Sequence, residues 1–226
     1  MKKIKLLNLF SGIGGNTYTL NRDRFEVTHI EHNVEVAEEC ELQNPQDIVI
    51  MDDAWEYVHD YDKYDYLWAS PPCQTHTGLN NALHGQGRRR LPDFRLYALI
   101  TYLKHFVKTP WVVENVKPYY QDLAMIRPTA VLSRHWYWSN YNLIGERYKQ
   151  NPFNVTNARP KKDGKRMTSK EHRDKLQEYL GITLTKLRYI DGKNPSQILS
   201  NCVHPDEGKY LIEQAFTRVK GWEEFF

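Results

Sequence analysis

Ser70-Pro71-Pro72-Cys73-Gln74 sets a cysteine behind two prolines, directly after an apolar, β-rich run. Proline fixes the backbone and stiffens such a loop. An ordinary thiol is only slightly ionised near neutral pH, so a nucleophilic one needs a rigid, partly exposed and electropositive setting. A lone cysteine also serves as a small buried residue closing a turn. The place of Cys73, on a loop leaving the carboxyl end of a strand, favours the nucleophile, because open α/β folds put their active sites there.

Glu114-Asn115-Val116 ends a second apolar run, 41 residues beyond Cys73. Neighbouring parallel strands end on one sheet edge, so Glu114 can face Cys73 across a pocket. A carboxyl group screened from water holds or donates a proton. Taken alone, it is also an ordinary strand-end acid before the turn at Pro118. A third segment, Phe10-Ser11-Gly12-Ile13-Gly14-Gly15, follows an apolar strand, and Glu31 ends the next strand 19 positions after Gly12. Glycines let backbone approach a cofactor closely, and an acid at that distance suits ribose hydroxyls. Loop and acid together point to a nucleoside-containing cofactor; the loop alone is equally a tight turn.

These segments need a scaffold. Alternating periodicities predict strands at Ile4–Leu9, Glu26–Glu31, Asp47–Met51, Asp65–Ala69 and Trp111–Val113, with a further strand at Trp136–Leu143. Helices are expected near Asn16–Asn21, Val34–Leu42, Ala54–His59 and from an Asp93 N-cap to Val107. The alternation implies an α/β fold, Rossmann-like, with a mostly parallel sheet. From Gly145 to about Lys193 the chain turns basic and rich in Asn and Pro, with one helical stretch near Ser169–Leu180. The tail Pro205–Val219 reads as an amphipathic helix. Residues 1–143 with 195–226 are therefore expected to form a catalytic, cofactor-binding domain, and 144–194 a small basic region.

The 226 residues allow one sizeable core. Arg147 to Lys175 carries ten Lys/Arg against three Asp/Glu, so a net +3 chain hides a +7 segment within a mildly acidic body. Such a segment suits phosphates, although a charge run is often just a solvated loop. Cys40, Cys73 and Cys202 lie far apart and suggest neither a disulfide framework nor a metal site. The basic-then-apolar start is short, contains Asn8 and runs into the glycine loop, so it reads as a strand rather than a signal peptide. A cytoplasmic, reduced protein is expected.

The order of blocks LNLFSGIGG, acid-ended strand, SPPCQ and ENV resembles the C5-cytosine DNA methyltransferases. Arg134-His135-Trp136-Tyr137-Trp138 looks like that family's arginine-bearing strand, and Ser200-Asn201-Cys202-Val203 like its final Asn-containing block. The resemblance implies an S-adenosylmethionine-dependent methyltransferase fold. Phe10, Ser11, Gly12, Ile13, Gly14 and Gly15 would line the cofactor pocket, Glu31 the ribose and His32 the adenine. Asp53 would take the adenine amino group, with Asp52 a close rival, and Pro71, Asn201 and Val203 also fall on the cofactor side. Asn201 would in addition brace the cysteine loop. Cys73 would attack carbon 6 of cytosine, Glu114 would pair with ring nitrogen 3, and Arg134 would contact the cytosine carbonyl. Pro72, Gln74, Asn115 and Val116 fall on the substrate side. Arg88, Arg89 and Arg90 of the loop from Gln74 to Pro92, with Lys161, Lys162, Lys165 and Arg166, would contact nucleic-acid backbone. A stacked base is out of reach of this chemistry, so the cytosine must be flipped out or unpaired.

The chain departs from the family's pattern at Asn8, where aspartate is typical, at Ala130 and Leu132 in the arginine strand, and at Ser200, where glycine is usual. Between Arg134 and Asn201 only about fifty residues, 144–194, are available for a recognition region, a short one resembling the compact enzymes of phages and mobile elements, such as restriction-modification methylases. Three other readings compete. An amino-methyltransferase also uses a Pro-Pro loop, but needs no thiolate. An RNA (tRNA) cytosine-5 methyltransferase would share the catalytic residues. A catalytically silent DNA-binding subunit would have lost Cys73 or Glu114.

Overall fold

The computed structural model describes residues 2–78, 80, 83–88, 90–120, 126–132, 135–144, 161–162, 165–166, 168–185 and 195–217. Strands β1 (Ile4–Leu9), β2 (Phe25–Ile30), β3 (Ile48–Ile50), β4 (Tyr66–Ala69), β5 (Trp111–Val116), β6 (Ala130–Leu132) and β7 (His135–Ser139) form one sheet in the order β3-β2-β1-β4-β5-β7-β6. The pairs from β3 to β5 are parallel, and β7 runs antiparallel to both β5 and β6. The α/β, mostly parallel sheet expected from the sequence is therefore present. β1 has β2 on one side and β4 on the other, so the chain reverses direction across the sheet between them. That reversal opens a crevice beyond the carboxyl ends of β1 and β4.

Both sheet faces are covered, and successive residues in each strand go to opposite sides. Leu7, Leu9, Leu67, Trp111 and Val113 pack under the 3-10 helix Ala54–Lys63 and helix α2 (Arg95–Phe106). Leu6, Phe25, Tyr66, Trp68, Val112 and Tyr137 pack under helix α5 (Pro205–Gln214) through Leu211 and Ile212. The final helix thus rests on the N-terminal part of the sheet, with Gly208 so tight that a Cβ would lie 2.1 Å from the Asn16 carbonyl oxygen. A third cluster joins Ile13 to Leu176 and Leu180 of α3 (Ser169–Leu180), to Ile182 and Leu184, and to Ile198 and Leu199 of α4 (Pro195–Ser200). Part of the 144–194 region therefore packs directly on the glycine loop. Buried Glu39 of α1 (Val34–Gln43) strengthens that junction, accepting from Thr185 N at 2.8 Å and Thr185 Oγ1 at 2.6 Å.

Several local expectations are corrected. In place of a helix over Asn16–Asn21 there is a 3-10 turn, Gly15–Thr17. The backbone bonds here run three residues apart, Thr17 N to the Gly14 carbonyl, Tyr18 N to Gly15 and Leu20 N to Thr17. Arg22 Nη1 adds a second donor to the Thr17 carbonyl at 2.8 Å and one to Leu20 at 2.9 Å, pinning the chain in that tighter turn. Phe94, not Asp93, holds the N-cap position of α2, while Asp93 Oδ1 accepts from Arg95 N at 3.0 Å. β7 ends at Ser139 rather than Leu143, because Asn140 turns back to accept from Trp111 N at 3.0 Å. The tail helix ends at Gln214, and Val219 lies outside the described residues. The single arginine-bearing strand is two antiparallel strands, β6 and β7, with Ser133 and Arg134 outside the described residues. The basic region also contains a hairpin that periodicity did not signal, β8 (Lys161–Lys162) with β9 (Lys165–Arg166).

Candidate active site

The glycine loop leaves β1 at Phe10, whose φ of 55° lies in the left-handed region, as do those of Gly12 (56°) and Gly14 (76°). The loop is tied down by Ser11 N to the Ile30 carbonyl at 3.1 Å and Gly14 N to the Ser11 carbonyl at 3.0 Å. A Cβ on Gly12 would meet nothing within 4 Å, so the bare backbone there faces open space that a ligand can approach. Phe10 packs edge-on to Trp55, centroids 4.8 Å apart. Ile13 points inward to the third core cluster, and its side chain is fully buried.

Glu31, nearly buried, locks the loop to β2: its Oε2 accepts from Gly12 N at 3.0 Å and its Oε1 from Asn33 N at 2.9 Å. Oε2 keeps a lone pair for a hydroxyl donor. His32 Nδ1 lies 3.2 Å from Glu31 Oε1, and its side chain is 75% exposed at the crevice rim. Asp53 Oδ1 caps the 3-10 helix through Trp55 N at 3.0 Å, whereas Asp52 takes Asp53 N and the Tyr57 hydroxyl. Both acids are exposed. Cys202 and Val203 stand against Gly15, within 3.3 Å of where its Cβ would be, so the final block seats on the glycine loop. Asn201 is exposed at the end of α4, its backbone N–H reaching the Gln197 carbonyl at 3.0 Å.

Across the crevice, Ser70 N donates to the Leu9 carbonyl at 3.2 Å, starting the cysteine loop beside the glycine loop. Trp68 Nε1 donates to Ser70 Oγ at 2.9 Å. Pro71 is buried and its carbonyl accepts from Asn115 Nδ2 at 2.8 Å. Pro72 and Gln74 are exposed, Cys73 is half-buried, and the Cys73 carbonyl accepts from His76 N at 3.0 Å. None of the three cysteines forms a disulfide. Burial pushes the Cys40 thiol up to about 12, which leaves that cysteine protonated and inert.

Asn115 Oδ1 also accepts from Val116 N at 3.0 Å, fixing the end of β5. Glu114 is buried one residue before it, and His135 Nε2 of β7 stands 3.6 Å from Glu114 Oε1. The sequence pattern did not single out His135; its signal is its place beside Arg134 on the strand paired with β5. Arg134 itself lies outside the described residues, as does Arg89.

The loop after Cys73 is organised by buried Asn80, another residue the pattern missed. Asn80 Nδ2 donates to the Arg90 carbonyl at 2.8 Å and its Oδ1 accepts from Arg90 N at 3.0 Å, which leaves Arg88 and Arg90 exposed. His76 is buried edge-on to Tyr97, and burial holds its imidazole below 6.5, hence neutral at pH 7. In the hairpin, Lys161 stands opposite Arg166 and Lys162 opposite Lys165.

No family model matches the chain. It is 30% identical over 168 residues to the tRNA (cytosine(38)-C(5))-methyltransferase of Schizosaccharomyces pombe, an alignment covering 70% of this chain and 48% of that protein. The chain thus spans about half the length of that curated relative. Among solved structures, the Entamoeba histolytica methyltransferase EhMeth superposes with a TM-score of 0.52 over 96% of this chain and 98% of its own, at 12% identity. A Spodoptera frugiperda DNMT2 mutant aligns at 23% identity over 51% of this chain and 36% of its own, with a TM-score of 0.37. The likeness to EhMeth establishes a methyltransferase-type fold. Among the described residues, no helix is long and apolar enough to cross a membrane.

Proposed function

We propose that the chain is an S-adenosylmethionine-dependent cytosine-5 methyltransferase acting on nucleic acid, with DNA as its substrate. The observation that carries this reading is the Asn115–Pro71 hydrogen bond. It joins the rigid loop bearing Cys73 to the strand end bearing Glu114, at the edge where the glycine loop also lies. The sequence relationship to a cytosine-C5 methyltransferase supports the same chemistry.

The residues present fit the cofactor. Gly12 leaves backbone exposed to an open crevice, Glu31 Oε2 retains a hydroxyl-accepting lone pair, and Phe10, His32 and Asp53 stand around the mouth. Bound there, S-adenosylmethionine supplies an electrophilic methyl group on a sulfonium. Cys73, as thiolate, adds to carbon 6 of the cytosine while Glu114 holds a proton or hydrogen bond at ring nitrogen 3. The electron pair displaced onto carbon 5 would take the methyl, the sulfonium leaving as a neutral thioether. Loss of the carbon 5 proton to water would then expel Cys73 as thiolate and restore the ring. A target cytosine must leave its stack to reach Cys73. Arg88, Arg90 and the basic hairpin provide cations for backbone phosphates, contacts that set position and affinity rather than sequence. With so few residues available for base edges, a short or permissive target follows.

A tRNA substrate is the second reading, favoured by the activity named for the Schizosaccharomyces pombe relative. One experiment tests both. The protein is incubated with S-adenosylmethionine and either DNA or tRNA containing 5-fluorocytosine, whose fluorine blocks release of the enzyme. The expected result is a denaturation-resistant adduct with DNA that Cys73→Ser abolishes while still binding cofactor. An adduct with tRNA alone moves the substrate to RNA. Cytosine methylation by the wild type with no adduct on either substrate overturns the thiolate route.

A further inference from the structure

Beneath the glycine loop lies a buried polar cluster that the chemistry above does not use. Asn8 of β1 and His29 of β2 are register partners, and both are fully buried. Asn8 Nδ2 lies 3.1 Å from His29 Nδ1 and donates to Asn16 Oδ1 at 3.0 Å; Asn16 Nδ2 returns the bond to Asn8 Oδ1 at 3.0 Å. On its other side, His29 Nε2 lies 3.0 Å from Asp47 Oδ2. Arg22 holds both Asp47 oxygens at 2.6 Å, and Asn44 Nδ2 donates to the Ile13 carbonyl at 3.1 Å. Gly14 sits directly on this cluster: a Cβ there would lie 2.8 Å from Asn44 Nδ2 and 2.9 Å from His29 Cε1.

Hydrogen accounting fixes the protonation of the ring. The Asp47 carboxylate, held ionised by Arg22, accepts only, so His29 Nε2 carries a proton. Burial opposes a second proton more than Asp47 favours one, so the imidazole is neutral at pH 7. Nδ1 is then an acceptor, and it needs a donor. An asparagine at position 8 supplies one, whereas the aspartate typical of the resembled family would not.

We infer that Asn8 and His29 are positioning residues for the cofactor: Asn8 holds His29 in its neutral Nε2–H tautomer, and the pair supports the glycine loop from below in its ligand-ready shape. The inference rests on the cofactor reading proposed above. The charged and titratable groups facing His29 are Asp47 and Arg22, with the Cys40 thiol, protonated at neutral pH, beside them.

The test substitutes Asn8→Asp. An aspartate at that position accepts only, so it draws a proton onto His29 Nδ1 and raises the pH at which His29 titrates. The bond to Asn16 Oδ1 is lost at every pH, but at pH 7 an imidazolium still holds the His29 side of the support. As pH rises and that proton is lost, a carboxylate faces a bare ring nitrogen and the support fails. Calorimetry with S-adenosylmethionine from pH 6.5 to 9, as trial conditions, should find wild-type affinity flat. The variant should weaken at least about tenfold toward the alkaline end, as for an unmade buried hydrogen bond. Asn8→Ala should be weaker at every pH. Nitrogen-15 NMR should show His29 Nδ1 unprotonated in the wild type and protonated in Asn8→Asp at pH 7. Amide exchange across residues 11–20 should quicken at alkaline pH in the variant beyond the wild-type trend, a readout independent of cofactor. A wild-type His29 protonated on Nδ1 at pH 7, or an Asn8→Asp protein matching wild type in exchange and pH profile, overturns the inference. A wild type that binds no S-adenosylmethionine while the NMR and exchange results hold removes the cofactor reading and leaves the loop-supporting pair standing.

Discussion

The Asn115 side-chain amide donates to the Pro71 carbonyl at 2.8 Å, and both residues are buried. One bond therefore sets the separation between the loop that carries Cys73 and the strand that carries Glu114. Its loss leaves a buried carbonyl unsatisfied, which costs about 1–3 kcal/mol. Asn115→Ala should lower stability by that amount in denaturant titration and slow covalent capture of 5-fluorocytosine substrate, with S-adenosylmethionine affinity unchanged. Unaltered capture kinetics would show that the bond does not set the reacting geometry.

Glu114→Gln keeps the shape of the side chain and removes its ability to exchange a proton. Turnover should fall by roughly 10²–10⁴-fold, the range for losing a positioned acid–base group, while cofactor affinity holds. Steady-state methylation alongside cofactor calorimetry separates the two effects. Equal losses in both would mean that Glu114 supports the fold rather than the reaction.

Two glycines offer a contrast in mechanism. At Gly208 a Cβ would lie 2.1 Å from the Asn16 carbonyl oxygen and 2.6 Å from Asn16 Cα, backbone atoms that cannot swing aside. Gly208→Ala should push α5 off the glycine loop and cost about 1–3 kcal/mol or more, the penalty of overpacking. Gly12→Ala meets no protein atom, so it should fold with only the left-handed backbone cost of roughly 1–2 kcal/mol. It should nonetheless lose cofactor affinity, because the methyl enters the ligand's space. Thermal melts and calorimetry on the pair check the distinction.

Stability should fall on acidification in two stages. Burial holds the folded-state pKa of His29 below 6.5, so from pH 6.5 downward the unfolded chain binds a proton that the folded chain refuses. Burial alone would raise Asp47, but the hydrogen bonds from His29 and Arg22 outweigh it and keep its carboxyl below 3.8. A second loss therefore begins as pH drops past that value. Chemical denaturation at steps from pH 7.5 to 3.5 should show stability declining from about 6.5, and His29→Gln should shrink that upper stage to the share left by His76, which burial also holds below 6.5.

The hairpin makes a prediction about salt. Lys161 and Arg166 are register partners, as are Lys162 and Lys165, so four basic residues fall within one short hairpin. Replacing all four by Gln should weaken nucleic-acid binding alike on every sequence and reduce the salt slope by about 0.7–0.9 for each phosphate no longer neutralised. Binding curves at several salt concentrations test this, and a loss confined to one sequence would mean that these residues read bases.

How much could be read beforehand depended on the range of the interactions. β1 matches its expected bounds because an apolar run stops at a glycine loop. α3 matches Ser169–Leu180 because its ends are local: Thr168 and Glu171 form a capping box, and Gly181 takes a left-handed turn at φ 66°. The hairpin was not legible, since two-residue strands carry no periodicity. Neither was the clamp of Asn80 on Arg90, made within an aperiodic loop, nor His135 beside Glu114, whose strands meet only in the assembled sheet. The helix expected over Asn16–Asn21 is instead a tight turn pinned by Arg22, whose anchor on Asp47 lies 25 residues away and left no local signal.

The seating of α3 on Ile13 links two parts of the chain that the sequence separates by some 160 positions. Leu176 and Leu180 cannot shift without disturbing the turn that begins at Ser11, and the turn cannot reshape without disturbing them. Free energy exchanged across such a junction is reciprocal. If a polyanion bound near α3 tightens the grip of the turn on a small ligand by some factor, that small ligand must tighten the grip on the polyanion by the same factor. The order in which the two arrive then has no bearing on the final ternary complex, only on the route to it.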